Sequence, residues 1–242
     1  MSARRATRRL TTSLVAAVAA TAGVAATGLP AQAQTQAQTQ AKTQAQARPA
    51  QAERHHCHHA LGQRSLAAVL AADGNHFDRN WNDFDILDKV VHIVLAAKPD
   101  SPVAVLADGS TKLTAFLPTD RAFRRLAHAL TGRWYATEAG ALNGIASSPG
   151  VDVNLLESVL LYHVVPGARV TYRQAQQANG AVLQTALPGK AITVRVQGHR
   201  VTLRDLDPNN RDARVLPNAA NLNQGNRQIA HGIDRVLRPV DL

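Results

Sequence analysis

The sequence changes character near residue 60, and this change decides which part of the chain can fold. Residues 34 to about 54 are a low-complexity tract of glutamine, alanine and threonine, QTQAQTQAKTQAQARPAQAER. These side chains offer almost no apolar area to offset the entropy that is lost when a backbone becomes ordered. We therefore predict a disordered linker over residues 34–60 and a single globular domain over residues 61–242.

Residues 1–33 have the three parts of a secretory signal peptide. A basic start is followed by an alanine-rich apolar run over residues 14–26 and by Ala31-Gln32-Ala33, an A-x-A cleavage site. The apolar run is too short and too weak to span a bilayer. The basic start contains Arg4, Arg5, Arg8 and Arg9. We expect a secreted, extracellular protein without a membrane anchor, exported by the general route or, because of the arginine pair, by the twin-arginine route.

The charge of the chain argues against nucleic acid as a partner. The formal net charge is +10, and removal of residues 1–33 takes away four arginines and no acid, which leaves about +6. The aromatic residues make up only 4% of the chain. They are not interleaved with basic residues as they are on nucleic-acid surfaces. We therefore expect no nucleic-acid partner.

A cluster of potential metal ligands, HHCHH, closes the linker, and its members are His55, His56, Cys57, His58 and His59. Imidazole and thiolate groups bind Zn²⁺ and copper ions, so the cluster is a candidate metal site. Its place at the end of a low-complexity segment favours instead a flexible polar junction. Because Cys57 is the only cysteine, it cannot form an internal disulfide, but in an oxidising compartment it could link two chains into a dimer.

Five segments have the apolar periodicity and the end signals of helices. They are 65–72, 85–97, 119–131, 152–162 and 171–178. Asp85, Thr119 and Asp152 are the predicted N-caps of the second, third and fourth. The third helix also carries three arginines that we expect to face solvent, Arg121, Arg124 and Arg125.

The second half of the chain has the period-two pattern of strands. Apolar residues alternate over 192–196 and 201–203, on either side of Gly198-His199, which favours a tight hairpin. Further strands are predicted at 112–117, 229–231 and 234–237. Helices followed by a mostly antiparallel sheet indicate an α+β fold with one core.

Three segments in this order resemble the signatures of one protein family. The first is similar to the strand-to-helix element F-x-P-T-[DN]-x-A-F and reads LTAFLPTDRAFRRL (113–126). The second is similar to a Tyr-His motif and reads SVLLYHVVPG (158–167). The third is similar to a closing I-H-x-I-D-x-V-L-x-P element and reads IAHGIDRVLRP (229–239). Together they resemble a fasciclin domain, as in secreted bacterial fasciclin-like proteins, with its signatures between about residues 80 and 241. The resemblance implies an α+β domain in which N-terminal helices pack on a mostly antiparallel wedge of short strands.

The resemblance also implies which residues carry the family motifs. They are Phe116, Pro118, Thr119, Asp120, Phe123, Tyr162, His163, His231 and Asp234. We expect structural roles for them, because large apolar groups, a strand-to-helix turn and polar tips on buried side chains all serve folding.

The chain departs from the family pattern in the segment 204–225, RDLDPNNRDARVLPNAANLNQG, which is longer and more polar than usual. Arg227-Gln228 also replaces the usual Asn-Gly. Asp205 and Asp207 form an Asp-x-Asp pair that we expect to be solvated, or less often a weak cation site. The long segment is a candidate contact surface.

The sequence indicates binding, not catalysis. It contains no G-x-S-x-G elbow, phosphate-binding glycine loop or H-E-x-x-H motif, so we expect no catalytic residue and no cofactor beyond a metal at HHCHH. The resemblance implies an adhesion module whose partner is a matrix protein, a cell-surface protein or a glycan. The alternatives are an extracellular metal-binding protein that uses His55–His59 and, less favoured, a hydrolase.

Overall fold

The computed structural model describes residues 60–74 and 76–241. In this part of the chain, apolar periodicity produces six α-helices. They are α1 Leu66–Leu70, α2 Asp85–Ala97, α3 Asp120–Thr131, α4 Glu138–Ala146, α5 Val153–Tyr162 and α6 Tyr172–Gln176. All five predicted helices are confirmed, with ends that differ by a few residues. The helix that the sequence did not predict is α4, whose two glycines lower its intrinsic helix propensity.

Side-chain caps start four of these helices, and that of α4 is Thr137, which accepts a hydrogen bond from the N–H of Gly140. Asp152 accepts a hydrogen bond from the N–H of Leu155, and Ser65 accepts one from Ala68. Thr171 forms a capping box with Gln174 at the start of α6. These bonds satisfy backbone donors that the first turn of a helix otherwise leaves without a partner.

Of the other two predicted caps, that of Asp85 is wrong, and that of Thr119 is confirmed in position but not in its bond. Asp85 is the first residue of α2 and not its N-cap. The carboxylate of Asp120 takes that role from another helix, because its Oδ1 and Oδ2 accept the N–H groups of Ile86 and Asp85 at 2.9 and 3.2 Å. Thr119 does occupy the N-cap position of α3, but its side chain makes no capping bond.

Replacing Asp152 with alanine is expected to destabilise the protein by about 1 kcal/mol, because the N–H of Leu155 loses its capping acceptor. Urea denaturation followed by circular dichroism measures this difference. Asp152→Asn is the matched control, since the amide oxygen also caps, and it should stay close to wild type. Equal losses in the two variants would show that the cap contributes little.

Seven strands form two sheets within the described residues. They are β1 Leu113–Pro118, β2 Val164–Pro166, β3 Val182–Gln184, β4 Ala191–Gln197, β5 Arg200–Arg204, β6 Ala213–Arg214 and β7 Gln228–Ile233. The first sheet has the order β2-β1-β7, and the second has the order β3-β4-β5-β6. Every strand pair is antiparallel except β1 and β7, which run parallel.

The hairpin between β4 and β5 confirms the prediction from residues 192–203. Gln197 pairs with Arg200 across the two-residue connection, and Gly198 has a φ of 59°. The predicted strand at 234–237 is wrong, because the chain leaves the sheet after Ile233. The N–H of Leu237 is instead bound by the Nε2 of His163 at 2.9 Å, so it has no strand partner to join.

Strand β1 separates two hydrophobic clusters. Leu113, Ala115 and Leu117 pack with the helices α1 to α5 in one cluster. Phe116 points to the opposite side, into a cluster built with the second sheet and α6. All six residues of β1 are buried, which explains why the LTAFLP run is so apolar. The result is the α+β architecture that the sequence predicts, with helices packed on short, mostly antiparallel strands.

In the described part of the chain, none of the helices combines the length and the apolar character needed to cross a membrane.

Candidate functional site

A pocket with a volume of about 330 Å³ lies between α3 and the segment that follows β7. Helix α3 contributes one wall, and the long 204–225 segment contributes Asn210. The residues that give the pocket its chemical character are Arg125, His128, Trp134, Asn210, Arg235 and Arg238.

Arg125, Arg235 and Arg238 bring three guanidinium groups to this pocket. Arg125 donates to the main-chain oxygen of Asp234 at 2.6 Å and lies 3.7 Å from its Oδ2. Arg238 donates to Asp207 at 2.8 Å. Arg235 donates to the neutral Oδ1 of Asn210, at 3.3 Å. Burial lowers the pKa of Arg235, the carboxylate of Asp234 opposes this shift, and the neighbouring arginines add to it, but an arginine remains charged in proteins. The pocket is therefore lined by three positive charges and by no acid.

An exposed aromatic side chain forms the rim of the pocket. Trp134 is 60% exposed, and its ring stacks on that of His128 with 4.1 Å between centroids. The guanidinium of Arg124 lies 5.7 Å from the Trp134 ring and 4.6 Å from the Trp81 ring. Cation–π contacts of this kind hold the indole in a fixed position at the rim.

Two of the three arginines predicted to face solvent do not do so. Arg121 is exposed as expected, whereas Arg124 and Arg125 are half-buried. The aromatic rings beside Arg124 and the Asp234 carbonyl beside Arg125 supply partners that sequence periodicity does not reveal.

The expected solvation of Asp205 and Asp207 is also wrong. Asp207 is 3% exposed and pairs with Arg238, and Asp205 accepts the N–H of Arg238 at 2.8 Å. Burial raises the pKa of Asp205. The Asp-x-Asp pair thus anchors the long segment to the C-terminal residues.

The Tyr-His motif joins α5 to two other parts of the domain. Tyr162 is fully buried and donates from its hydroxyl to the main-chain oxygen of Ala191 in β4, at 2.9 Å. Burial raises its pKa. The Nδ1 of His163 lies 2.7 Å from the Val159 carbonyl, and its Nε2 accepts the N–H of Leu237. Burial lowers the pKa of His163 to about 4, so the ring is neutral at pH 7.

His231 of the closing motif lies on the other side of β1. Its Nε2 is 2.8 Å from the Val170 carbonyl, and its Nδ1 accepts the N–H of Asn221. Burial lowers the pKa of this ring as well. His231 and Phe116, with ring centroids 6.0 Å apart, line a second cavity of about 230 Å³ that is mostly apolar.

The remaining motif residues lie around β1 and α3. Pro118 ends β1, Thr119 precedes α3, Asp120 caps α2 and Phe123 is buried in the helical cluster. Asp234 accepts the N–H of Arg214 at 2.7 Å and contacts Arg125.

The structure thus brings only Asp234 among the motif residues to the arginine-lined pocket. The cluster His55, His56, Cys57, His58 and His59 lies outside the described residues, so its metal binding stays a prediction.

Sequence reasoning missed the pocket residues Arg125, Trp134, Arg235 and Arg238. The only signal that could have found them is the placement of Arg235 and Arg238 three residues apart in the closing motif. None of the ten residues that line the pocket is an acid, a serine or a cysteine, and its one histidine is His128. Guanidinium groups recognise carboxylate, sulfate and phosphate groups, so the pocket can bind an anion.

A comparison with protein families matches the fasciclin domain over residues 89–239. This match covers more than half of the chain. The chain belongs to the fasciclin domain family. The matched range contains all three sequence motifs and every residue of the arginine-lined pocket, and it confirms the resemblance seen in the sequence. Fasciclin domains are adhesion-type modules that are generally non-catalytic, and they occur in extracellular and cell-surface proteins.

One solved structure similar to this fasciclin domain is the FAS1 domain pair of the insect cell adhesion molecule fasciclin I. The sequences are 22% identical, the TM-score is 0.39, and the alignment covers 63% of this chain and 45% of that chain. The chain therefore spans less than half of that domain pair. A comparison with curated proteins found no match.

Proposed function

We propose that this fasciclin domain is a secreted, non-catalytic adhesion module that binds an acidic extracellular glycan in its arginine-lined pocket. The observation that carries the proposal is the lining of the pocket, which contains three arginines and no acid among its ten residues. Arg125 and Arg238 pair with Asp234 and Asp207, and Arg235 donates to the neutral Oδ1 of Asn210. An anionic group that enters the pocket would give Arg235 a charged acceptor.

The aromatic rim favours a sugar over other anions. Trp134 is 60% exposed and is held by His128 and Arg124. A flat, amphipathic indole can pack against the apolar face of a sugar ring while the guanidinium groups bind its carboxylate or sulfate. The volume of about 330 Å³ falls at the lower end of the range for small-molecule sites, which suits one or two sugar units.

Export of the protein is supported by the signal-peptide pattern over residues 1–33 and by the extracellular setting of the family. An adhesion module acts outside the cell, where acidic glycans of envelopes and matrices are accessible. The proposal therefore joins the predicted location to the chemistry of the pocket.

Replacing Arg235 with glutamine is expected to weaken the binding of an acidic oligosaccharide at least ten-fold, because the pocket loses one of its three positive charges. Calorimetric titration of the purified protein with uronate-containing and sulfated hexasaccharides measures this change. Arg121→Gln is the matched control, because Arg121 is an exposed arginine of the same helix region that does not line the pocket. It should change the affinity less than two-fold.

A neutral hexasaccharide serves as the second control and should not bind. Binding of the acidic sugar should also weaken as salt is raised, since the ion contacts are screened. If the Arg235 and Arg121 variants lose affinity equally, binding depends only on the net charge of the protein, and the proposed site is contradicted. Binding to poly-glutamate with none to the glycans would replace the proposed glycan by an acidic protein.

A further inference from the structure

Three carboxylates meet at the starts of three helices, away from the arginine-lined pocket. Asp83 lies in the turn before α2, Asp120 is the first residue of α3, and Glu138 is the first residue of α4. One oxygen of each lies within 4.8 Å of the other two. Asp120 and Glu138 are completely buried, and Asp83 is half-buried.

Hydrogen bonds account for only part of this cluster. The two oxygens of Asp120 accept the N–H groups of Asp85 and Ile86, and the Oε2 of Glu138 accepts the N–H of Asp78 at 2.8 Å. The Oε1 of Glu138 and the Oδ1 of Asp83 are buried without a hydrogen-bond partner. Buried oxygens of this kind are rare in folded proteins, and a water, a proton or an ion usually satisfies them.

Positive charge near the cluster is also insufficient. Among residues 60–74 and 76–241, no lysine, arginine or histidine forms an ion pair with Asp83, Asp120 or Glu138. The N-termini of α2, α3 and α4 each supply about half a unit of positive charge, which offsets roughly half of three carboxylate charges. The starts of the helices therefore leave substantial negative charge without a counter-ion.

A shared proton is the simplest alternative to a cation. Burial, with the nearby carboxylates, raises the pKa of Asp120 to about 9 and that of Glu138 to about 7. A proton between Asp83 and Asp120 would relieve that pair, and a second proton on Glu138 would be needed to relieve the third carboxylate. A cation among the three groups contacts all of them at once.

We propose that Asp83, Asp120 and Glu138 hold one Ca²⁺ ion that ties the turn before α2 to the starts of α3 and α4. The donors are all oxygens, which hard divalent cations prefer and which Zn²⁺ and copper do not require. Asp78 and Asp85 place further carboxylate oxygens within 4.8 Å of that of Asp83. Such a crowded, irregular set of ligands suits Ca²⁺, because Mg²⁺ demands near-ideal octahedral geometry and keeps its waters.

The test uses the full-length secreted protein after treatment with a chelator. Calorimetric titration with CaCl₂ should show one site with a Kd of about 10⁻⁴ to 10⁻³ M, the range of extracellular Ca²⁺ modules. Thermal unfolding in 10 mM CaCl₂ should occur several degrees higher than in chelator, because the ion binds the folded state. Binding at His55–His59 should not contribute to this titration, because imidazole and thiolate are poor ligands for Ca²⁺.

Glu138→Gln is expected to weaken Ca²⁺ binding at least ten-fold and to abolish the thermal shift. Asp83→Asn should do the same at a half-exposed position, where folding is less at risk. Asp100→Asn removes an exposed carboxylate elsewhere and should leave both measurements unchanged. MgCl₂ should bind more weakly than CaCl₂.

Four outcomes would overturn the proposal. The first is that the wild type shows neither binding heat nor a thermal shift, and the second is that Asp100→Asn has the same effect as the two cluster variants. The third is that a folded cluster variant keeps wild-type affinity. The fourth is that Mg²⁺ binds more tightly than Ca²⁺. The first would assign the cluster to shared protons, and the second would reduce Ca²⁺ to an adventitious ion.

Discussion

Replacing Asp207 with alanine is expected to lower the free energy of unfolding by about 3–5 kcal/mol. Asp207 and Arg238 form a buried ion pair at 2.8 Å, and their side chains are 1% and 6% exposed. Removing the carboxylate leaves a guanidinium in a region of low dielectric constant without this counter-charge. Asp207 also accepts the N–H of Asn209 at 2.9 Å, so the turn loses a second contact. Chemical denaturation measures the loss.

The double variant Asp207→Leu with Arg238→Met is the control for this prediction. It removes both charges and keeps most of the volume, so it should be more stable than Asp207→Ala. A loss below about 1 kcal/mol in the single variant would show that water reaches the pair and that it behaves as a surface ion pair.

Acidification is expected to destabilise the domain through His163 by about 3 kcal/mol in total. The ring is neutral when folded, with its pKa lowered from 6.5 to about 4 by burial. Protonation would place an N–H against the N–H of Leu237, which Nε2 now accepts. Between pH 6.5 and 4 the unfolded chain binds a proton at this position that the folded protein does not. The contribution of His163 to the free energy of unfolding is therefore fully present above pH 6.5 and is lost as the pH falls towards 4.

His163→Gln isolates this contribution. Other groups that titrate in this range are present in both proteins and cancel in the difference. The stability advantage of the wild type over the variant should shrink by about 3 kcal/mol between pH 6.5 and pH 4. Parallel profiles would show that His163 does not titrate in this range.

The helices and the central strand could be predicted because their signals are local. Asp152 lies three residues before the N–H that it caps, and the apolar run of β1 records burial on both faces. Periodicity reports which residues are buried, so α2, α3 and α5 were found with nearly correct ends. Helix α4 has a weaker pattern, and its glycines hid it.

The arginine-lined pocket could not be predicted because it depends on contacts between distant segments. Arg125 meets Asp234 across 109 positions of sequence, and Arg238 meets Asp207 across 31. Charge periodicity suggests that an arginine on a helix faces solvent, and only the fold brings a carbonyl to Arg125. The same reasoning applies to Asp120, which caps a helix that begins 35 residues earlier.

The parallel pairing of β1 with β7 has a consequence for the order in which the chain can fold. Leu113 pairs with Gln228 and Pro118 with Ile233, so the central strand receives one of its two neighbours only when almost the whole chain is present. Closing so large a loop is slow, because its entropy must be lost before the contacts form. We expect a chain that is still emerging to keep β1 unpaired on one side and to complete its core in a late, cooperative step.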